Sequence, residues 1–421
     1  MLKSIDQTRI ILVALLAVSA FLNYLDRQAL AILASPIQAD LNITNQGYAF
    51  IVSSFLVAYS AGNLICAWCI EKWGVRIALP VFVLWWSTAN FLTGFATDTN
   101  TVAATRFALG LAETGGFIAI TVMAQSSFKP SQRALVIGCC NAAAMIGATV
   151  SPPIIAWLYE IYGWRMAFYS TGLLGAVWTL CWVLMFVRNA DKSDLSYDEK
   201  IDEQNTSTDQ SRDDSPVSYL SVIKNRKAWA IVFGKMLTYP IWFFYLFWFP
   251  KYLTDERGLS VSELGQTVWV TYLAAAVGSI IGGMASGLLI KRGMVPQVAR
   301  LWILAFVAVV GTIGIINGFE PPIIISIAVA SFVAFVQMFW QINIQVLSTD
   351  IFGKRELVKV ISMGAIITSI ASVISNTLVG SLVETIFYRP MFIVMGFAYA
   401  FAFLIVYLLL REPKSKDSSA D

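Results

Sequence analysis

The chain has 421 residues, of which 57% are hydrophobic and only 13% are charged, and its mean hydropathy is +0.69. Ordinary soluble domains carry about 25% charged residues, so this composition excludes them. The net charge of +3 is small, and its distribution along the chain is more informative than its size. Histidine is absent, so proton chemistry must fall to carboxylates, and a histidine-based metal or nucleophile site is excluded. We therefore predict a membrane protein that uses no cofactor and no metal.

Twelve apolar runs are long enough to cross a bilayer as helices, and they form two groups of six. The runs cover residues 10–34, 49–70, 77–97, 101–123, 134–158, 165–187, 228–253, 264–290, 297–317, 322–346, 358–386 and 390–410. This pattern predicts an all-α membrane protein with twelve transmembrane helices in two pseudo-symmetric six-helix halves. The first run holds charged residues and lacks a small-residue cleavage site, so we interpret it as a span and not as a signal peptide.

Lysine and arginine are distributed unequally between the two sides of the predicted helices. If both termini are cytoplasmic, 22 of the 29 Lys and Arg residues lie in cytoplasmic segments, four lie outside and three lie within spans. Cytoplasmic loops of membrane proteins carry an excess of positive charge. We therefore expect a multi-pass protein with both termini in the cytoplasm.

A polar segment separates the two groups of spans. Residues 188–227 are rich in Asp, Glu, Ser and Lys and show no apolar period, so we predict a cytoplasmic linker there. The N-terminal half is then 1–187, and the C-terminal half is 228–421 with a short cytoplasmic tail. The halves also resemble each other, since YGWRMAF at 162–168 precedes the sixth span and FYRPMF at 387–392 precedes the twelfth. Weak repeats of this kind are typical of transporters whose site lies at the pseudo-symmetric interface.

Four charged residues lie inside spans of the first half. Arg106 and Glu113 of the fourth span are seven residues apart, which places them on one helix face about 10 Å apart along the axis. Asp26 and Arg27 of the first span lie at a depth similar to that of Arg106. A charge near the bilayer centre costs upward of about 2.5 kcal/mol unless it is paired or wetted. We interpret the charges as lining a cavity that Gly110 lets a ligand approach, and a purely structural ion pair between helices is the alternative.

Two arginines and two carboxylates give a net charge near zero, which suits an anion that travels with protons. The planar guanidinium binds a carboxylate through two parallel hydrogen bonds. Adjacent helical residues point about 100° apart, so Asp26 and Arg27 are expected to face different partners. Lys235 in the seventh span is either a second charge for a carboxylate or a side chain that reaches the inner interface.

The five cysteines lie in apolar runs or at their ends, and they show no spacing that would complete a metal site. We interpret all five as small core residues. They are Cys66, Cys69, Cys139, Cys140 and Cys181.

Five segments resemble a known transporter family: NYLDRQALAIL at 23–33, RFALGLAE at 106–113, PPIIAWLYEIYGWRMAFYSTGLLG at 152–175, GKMLTYPIWFFYLFWFPKYL at 234–253 and AVGSIIGG at 276–283. They look like the anion:cation symporter branch of the major facilitator superfamily, and they are most similar to the hexuronate transporters of bacteria. The resemblance runs from the first span to the twelfth. It implies the major facilitator fold, the bacterial cytoplasmic (inner) membrane, and a monomer that binds a small organic anion and protons but no nucleic acid.

The resemblance also implies roles for individual residues. Asp26 and Glu113 correspond to carboxylates that relatives use for proton coupling. Arg27 and Arg106 correspond to arginines that coordinate the substrate carboxylate or hold those acids. Further positions expected to line the substrate cavity are Tyr24, Asn141, Trp242, Tyr245, Gln337, Trp340 and Asn343. For the aromatic residues, ordinary packing in the core or at the interface is the alternative.

The loop EKWGVR at 71–76 resembles the superfamily's cytoplasmic gate motif, with glutamate in place of the usual aspartate. The resemblance implies that this acid latches onto the other half in the outward-open state, and a solvated loop charge is the alternative. Gly287 stands at the corresponding position of the second half, so only one latch is expected. The gate residues are Glu71, Lys72, Gly74 and Arg76.

Four positions depart from the hexuronate pattern, in which relatives tend to have acids at Tyr239 and Ala276, a histidine at Gln337 and an asparagine at Gly116. These changes leave the particular ligand open. We expect proton symport of a sugar acid, hexuronate-like or aldonate-like, or a related organic anion, by alternating access. Anion exchange without net proton flow, Na⁺ in place of H⁺, and a non-transporting receptor of the same fold are the alternatives. An enzyme is not expected, since no nucleophile–base pair, metal cluster or phosphate loop occurs.

Overall fold

The computed structural model describes residues 7–128, 130–187 and 219–411, and all regular structure in these ranges is helical. Twelve helices in this part of the chain are long and apolar enough to span a membrane. Labelled α1 to α12 in chain order, they are Gln7–Ile32, Asn45–Trp73, Val75–Thr93, Thr99–Ser127, Leu135–Tyr162, Trp164–Phe186, Arg226–Asp255, Val261–Lys291, Pro296–Phe319, Ile323–Ile351, Lys359–Thr385 and Arg389–Leu410. Every end lies within five residues of a predicted span. The predicted all-α fold class with twelve spans is confirmed.

Local sequence explains several helix ends. Asp98 caps α4, because its side chain accepts a hydrogen bond from the backbone N–H of Thr101 at 2.9 Å while the Thr101 hydroxyl accepts one from the backbone of Asp98. The same backbone N–H holds the pKa of Asp98 below its usual range. Gly74 ends α2 with a φ of +73°, a conformation that favours glycine, and α3 begins at the next residue.

The described residues form two compact units. Unit 1 lies within Met1–Ser215, Phe244–Leu273 and Asn376–Thr385, and unit 2 lies within Pro216–Phe243, Ala274–Ser375 and Ile386–Asp421. Compactness thus groups parts of α7, α8 and α11 with α1 to α6. The division into two six-helix halves stays a prediction.

In unit 1, α1 packs against α5, α2 packs against α4, and α3 packs against α4 and α6. Glycines bring α2 and α4 into close contact. A Cβ atom at Gly110 would lie 2.7 Å from the carbonyl oxygen of Phe55, and one at Gly62 would lie 2.4 Å from that of Leu111. Gly110 therefore faces α2, and the expectation that it opens onto a cavity is wrong.

In unit 2, glycines again set the distance between helices. A Cβ atom at Gly278 of α8 would lie 2.3 Å from the carbonyl oxygen of Phe335 in α10. One at Gly311, where α9 tightens into a 3₁₀-helix, would lie 2.6 Å from the ring of Tyr399 in α12. These contacts place α8 beside α10 and α9 beside α12.

Helix α7 is interrupted, whereas its hydropathy predicts one continuous span. It consists of Arg226–Met236, Tyr239–Phe243, the π-helix Phe244–Trp248 and Phe249–Asp255. Pro240 and Pro250 flank the irregular part, and each lacks the N–H that would continue the α-helical pattern. A hydropathy profile does not register this loss, because proline hardly changes the average.

The predicted linker lies outside the described residues as far as position 218, and so does the tail from position 412. The end of the predicted linker is helical, since Tyr219–Lys224 form a short helix and α7 begins at Arg226. Asn225 caps α7 by accepting from the backbone N–H of Lys227 at 3.0 Å.

Three of the five cysteines are buried, namely Cys66, Cys69 and Cys140. The other two, Cys139 and Cys181, are exposed, so their interpretation as core residues is wrong. Apolar surroundings in the sequence do not distinguish the core from the lipid-facing side of a helix, because both exclude water.

Candidate functional site

A buried ion pair joins α1 to α4. Arg27 donates to one carboxylate oxygen of Glu113, Oε2, from Nε at 2.9 Å and from Nη2 at 2.7 Å. Arg27 is 9% exposed and Glu113 is 0% exposed. The second oxygen, Oε1, has no hydrogen-bond partner among the described residues. Asn23 also donates to the backbone carbonyl of Glu113 at 3.1 Å, which adds a polar contact between the same two helices.

Aromatic rings surround the Arg27 guanidinium. Its Cζ atom lies 5.1 Å from the ring centre of Tyr24, 5.5 Å from that of Phe55 and 4.8 Å from that of Tyr59. A cation held over ring faces in this range gains electrostatic attraction. The structure therefore places Tyr24, one of the predicted substrate-binding residues, directly against Arg27.

Asp26 and Arg106 are both buried, and they are linked through Asn90 of α3. The Asn90 amide nitrogen donates to Asp26 Oδ1 at 2.8 Å and to the Thr171 hydroxyl at 2.6 Å. Arg106 Nη2 donates to Asn90 Oδ1 and to the Thr93 hydroxyl, each at 2.8 Å. Asp26 Oδ2 and Arg106 Nε have no partner among the described residues. An acidic and a basic side chain are thus joined by one neutral amide.

The four charged residues predicted from the sequence therefore lie in one region of unit 1. Arg27 of α1 holds Glu113 of α4 directly, so an ion pair between helices exists, and its assignment to transport or to structure alone stays a prediction. Asp26 and Arg27 face different partners, as their helical spacing predicts. The sequence interpretation missed Asn90, although a lone amide within an apolar span is a signal that could have drawn attention to it.

A small cavity separates the two arginines. It is lined by Arg27, Leu30, Phe55, Arg106, Leu109 and Phe247. Its volume of about 10 Å³ leaves room for about one water molecule. A ligand larger than water must therefore displace part of the wall in order to reach both arginines.

Part of this wall is held by hydrogen bonds among α2, α7 and α11 within unit 1. The Tyr48 hydroxyl donates to the backbone carbonyl of Phe247 at 3.0 Å. The Trp248 indole donates to Asn376 Oδ1 at 2.8 Å, and the Asn376 amide donates to the backbone carbonyl of Ala49 at 2.7 Å. The position of the Phe247 ring thus depends on contacts with two other helices.

Two predicted substrate-binding residues, Gln337 and Trp340, are fully buried in unit 2. Gln337 donates to the backbone carbonyl of Thr238 at 3.1 Å and is hydrogen-bonded to the Tyr399 hydroxyl. The Trp340 indole donates to the backbone carbonyl of Gly234 at 3.0 Å. In this conformation the polar atoms of both residues connect α10 to its neighbours α7 and α12.

The remaining predicted residues differ in exposure. Asn343 is buried in unit 2, and its amide donates to the carbonyl of Gly282 at 3.1 Å. Trp242 of unit 2 is half-buried. Tyr245 of unit 1 is buried, and Asn141 of the same unit is exposed on α5.

Of the positions that depart from the hexuronate pattern, Gly116 lies in unit 1, three residues after Glu113 on α4. A Cβ atom there would lie 3.2 Å from the ring of Trp86 and 3.9 Å from the Asn23 amide. A larger residue would have to shift the tryptophan. Tyr239 and Ala276 are half-buried in unit 2.

The predicted gate residues lie where α2 meets α3. Glu71 and Lys72 are exposed, and Gly74 has the positive φ that joins the two helices. The backbone carbonyl of Arg76 accepts a hydrogen bond from the Trp182 indole at 3.0 Å. The latch role of Glu71 stays a prediction.

Comparison with known proteins gives a consistent set of similarities. The family model described as Major Facilitator Superfamily matches residues 16–348. The chain is 25% identical over 422 residues to the hexuronate transporter of Escherichia coli (strain K12), a match that covers 98% of this chain and 96% of that protein. It is 27% identical over 274 residues to the galacturonate transporter of Dickeya chrysanthemi, with coverage of 65% and 79%. The resemblance to hexuronate transporters found in the sequence motifs is confirmed.

A solved structure of the xylose transporter XylE from E. coli in an inward-open conformation superposes with a TM-score of 0.73. The two chains are 12% identical, and the match covers 97% of each. A likeness at this level of identity concerns the fold alone.

Proposed function

Because the chain belongs to the major facilitator superfamily, we propose that it is a secondary transporter that takes up a sugar acid, hexuronate-like or aldonate-like, by proton symport with alternating access. It is a multi-pass membrane protein of a transporter family and not an enzyme. The observation that carries the substrate proposal is that two buried arginines line one cavity, while a buried carboxylate is bonded to each of them, directly for Arg27 and through Asn90 for Arg106. The names of the relatives, which are hexuronate and galacturonate transporters, support the same substrate class.

In this proposal the substrate carboxylate binds the arginines. Among the described residues, Arg106 has only neutral hydrogen-bond partners and its Nε atom has none, so no directly bonded acid matches its charge. A planar guanidinium in that state offers a bidentate site for a carboxylate. Binding requires the cavity to widen, because its present volume suits only about one water molecule. The remaining contacts come from Tyr24, Asn141, Trp242, Tyr245, Gln337, Trp340 and Asn343.

The protons bind at Asp26 and Glu113. Each carboxylate has one oxygen without a partner among the described residues, and that oxygen can hold a proton without breaking an existing bond. When a substrate carboxylate draws Arg27 away from Glu113, an ionised Glu113 would be left buried and unpaired. A proton removes this cost by neutralising the acid. Anion and proton therefore enter the site together.

The same proposal places the protein in a bacterial cytoplasmic membrane as a monomer, with both termini in the cytoplasm. Two halves, 1–187 and 228–421, alternate access to the site. Glu71 serves as the single cytoplasmic latch.

One observation favours exchange without net proton flow as the second candidate. The Arg27–Glu113 pair is already neutral as a unit, so a substrate anion could replace Glu113 on Arg27 without a proton if the acid stayed ionised. This candidate needs the arginines but does not need protonation of either carboxylate.

Reconstitution distinguishes these possibilities. Purified protein in proteoliposomes is assayed with labelled D-galacturonate and with a panel of hexuronates and aldonates, with and without an inward proton gradient. Accumulation above equilibrium that requires the gradient supports symport. Counterflow that is indifferent to the gradient supports exchange. Absence of uptake and of counterflow for every sugar acid in the panel contradicts the proposed substrate class.

A further inference from the structure

Asn90 occupies a position that neither the sequence motifs nor the proposed transport function assigns. Among the described residues, it is the side chain that bonds both to the carboxylate of Asp26 and to the guanidinium of Arg106. It is 0% exposed. The three residues lie on three different helices, α1, α3 and α4, so the amide joins elements that are distant in the chain.

The orientation of the Asn90 amide is determined by two independent neighbours. Arg106 has only donors, so the group that faces it must be the amide oxygen. The Thr171 hydroxyl donates its own hydrogen to the Ala167 carbonyl at 3.0 Å, so toward Asn90 it can only accept, and the group facing it must be the NH₂. The same NH₂ group then donates to Asp26 Oδ1.

This orientation assigns different tasks to the two oxygens of Asp26. Oδ1 accepts from Asn90 whether the acid is ionised or protonated, while Oδ2 has no partner among the described residues and is free to take the proton. A hydrogen bond to an ionised acceptor is roughly twice as strong as a neutral one. Protonation at Oδ2 therefore weakens the bond from Asn90 without breaking it.

We infer that Asn90 is a positioning residue that transmits the protonation of Asp26 to Arg106, so that substrate affinity increases when Asp26 takes up a proton. With Asp26 ionised, the strong bond holds the amide, and the amide holds Arg106 Nη2 away from an incoming carboxylate. With Asp26 protonated, the amide is held less firmly and Arg106 is freer to turn. The inference rests on the proposed function, because it needs an anionic substrate at Arg106.

The charged groups that act on Asp26 are few. They are Arg106 and Glu113, both of α4. Helices α3 and α6 face Asp26 with the neutral residues Asn90, Trp86 and Thr171. Glu113 already has Arg27 as its own partner, so Asn90 provides the hydrogen-bonded route between Asp26 and a cation.

The test measures the dissociation constant of D-galacturonate by titration calorimetry between pH 5.5 and pH 8 on the purified full-length protein. For wild type, the dissociation constant at pH 5.5 is expected to be lower than that at pH 8 by a factor of about five or more. A factor of about five is the lower end of typical coupling between two sites. Asn90→Leu removes the bonds to Asp26 and Arg106, together with the one to Thr171, and is expected to lose most of this dependence of affinity on pH. Thr171→Val, which removes only the hydroxyl that orients the amide, is expected to reduce it.

Thr93→Val is the matched control, because it removes the other neutral partner of Arg106 and leaves the link to Asp26 in place. It is expected to change affinity by a similar factor at every pH. Melting temperature and elution volume report whether each variant is folded. If Asn90→Leu does not fold, Thr171→Val carries the test.

Two results would overturn the inference while leaving the proposed function intact. The first is sugar-acid binding by wild type that does not change with pH. The second is a folded Asn90→Leu whose affinity for D-galacturonate depends on pH as strongly as that of wild type. If Asn90→Leu does not fold, the same result for Thr171→Val overturns the inference. A wild type that binds no sugar acid at any pH overturns the proposed function as well.

Discussion

The two buried arginines differ in what they bond. Arg27 uses two donors on the carboxylate of Glu113. Within the described part of the chain, Arg106 bonds only the neutral side chains of Asn90 and Thr93, and its Cζ atom lies 4.9 Å from the ring centre of Phe168. The positive charge of Arg106 is therefore more available than that of Arg27 to attract an anionic ligand. Among single residues, Arg106 is the first candidate to bind the substrate carboxylate.

Replacing Arg106 by lysine tests this assignment. A point charge cannot reproduce the planar fork, so Arg106→Lys is expected to weaken D-galacturonate binding by roughly 2–5 kcal/mol, as when one partner of a buried charged pair is removed. Calorimetric titration measures the change. Arg165→Lys is the control, because Arg165 lies at the N-terminal end of α6, is 41% exposed and pairs with Asp40, which is outside the spanning helices. Binding by Arg106→Lys within about threefold of wild type, less than 1 kcal/mol, would remove Arg106 from the site.

Glu113 carries the second prediction at this scale. Glutamine is a neutral mimic of the protonated acid and can still accept from Arg27, so Glu113→Gln is expected to keep counterflow of D-galacturonate and to lose accumulation driven by a proton gradient. Paired uptake and counterflow in proteoliposomes measure both properties. Glu160→Gln, at an exposed carboxylate of α5, is the control. If Glu113→Gln still accumulates substrate in response to the gradient, Glu113 is not the coupling residue. Asp26 alone, or another cation, must then provide the coupling.

Among the helices, α7 contributes Phe247 to the wall of the small cavity, and α11 supports the neighbouring Trp248 through a hydrogen bond from its indole to Asn376. The irregular part of α7 carries Phe247 and Trp248, and π-helical segments are frequent at functional sites. Helix α11 meets α2 closely, since a Cβ atom at Gly380 would lie 2.3 Å from the Ala49 Cβ. These contacts, together with the hydrogen bonds of Tyr48 and Asn376, hold the segment that carries Phe247 in place within unit 1.

A larger side chain at Gly380 is expected to make the small cavity more accessible. Gly380→Leu forces α11 away from α2, and overpacking of this kind costs about 1–3 kcal/mol, enough to raise an open population about fivefold or more. The reporter is Leu30→Cys, a position lining the cavity, labelled by a membrane-impermeant thiol reagent in a background without the native cysteines. Gly138→Leu is the matched control, because a Cβ atom there meets nothing within 4 Å. Equal labelling rates in Gly380→Leu and Gly138→Leu would show that the α2–α11 contact does not limit access.

For the whole molecule, alternating access requires that each end of the site close in turn. The likeness to an inward-open xylose transporter at 12% identity indicates that this architecture tolerates wide changes of sequence. Specificity must then come from the side chains within the shared fold. The exposed position of Glu71 matters here, because a latch is engaged in only one of the two states.

The latch prediction belongs to this scale. Glu71→Gln is expected to shift the resting population toward the inward-open state and to raise thiol labelling of Gln341→Cys, in the predicted inner half of α10, while substrate contacts stay unchanged. Labelling from the cytoplasmic side of inverted vesicles measures the shift, with Glu160→Gln as the control. Unchanged labelling would identify Glu71 as a solvated loop charge.

The sequence by itself determined the twelve spans and their helical character. In a bilayer the backbone must satisfy its own hydrogen bonds, so an apolar run of sufficient length has few alternatives to a helix. It also identified the charges of α1 and α4 as unusual, because a charge at that depth is costly wherever its partner lies. Helical spacing correctly predicted that Asp26 and Arg27 have different partners.

The tertiary structure alone decided which partners these are. Arg27 and Glu113 are 86 positions apart, and nothing in either helix indicates that the other will face it. Asn90 became part of the site only because α3 packs where its amide reaches both Asp26 of α1 and Arg106 of α4, and Gly110 proved to contact α2 when a cavity was expected. Helical periodicity specifies which residues share a face of one helix. It does not specify the neighbour that the face meets, because that depends on packing among all the helices at once.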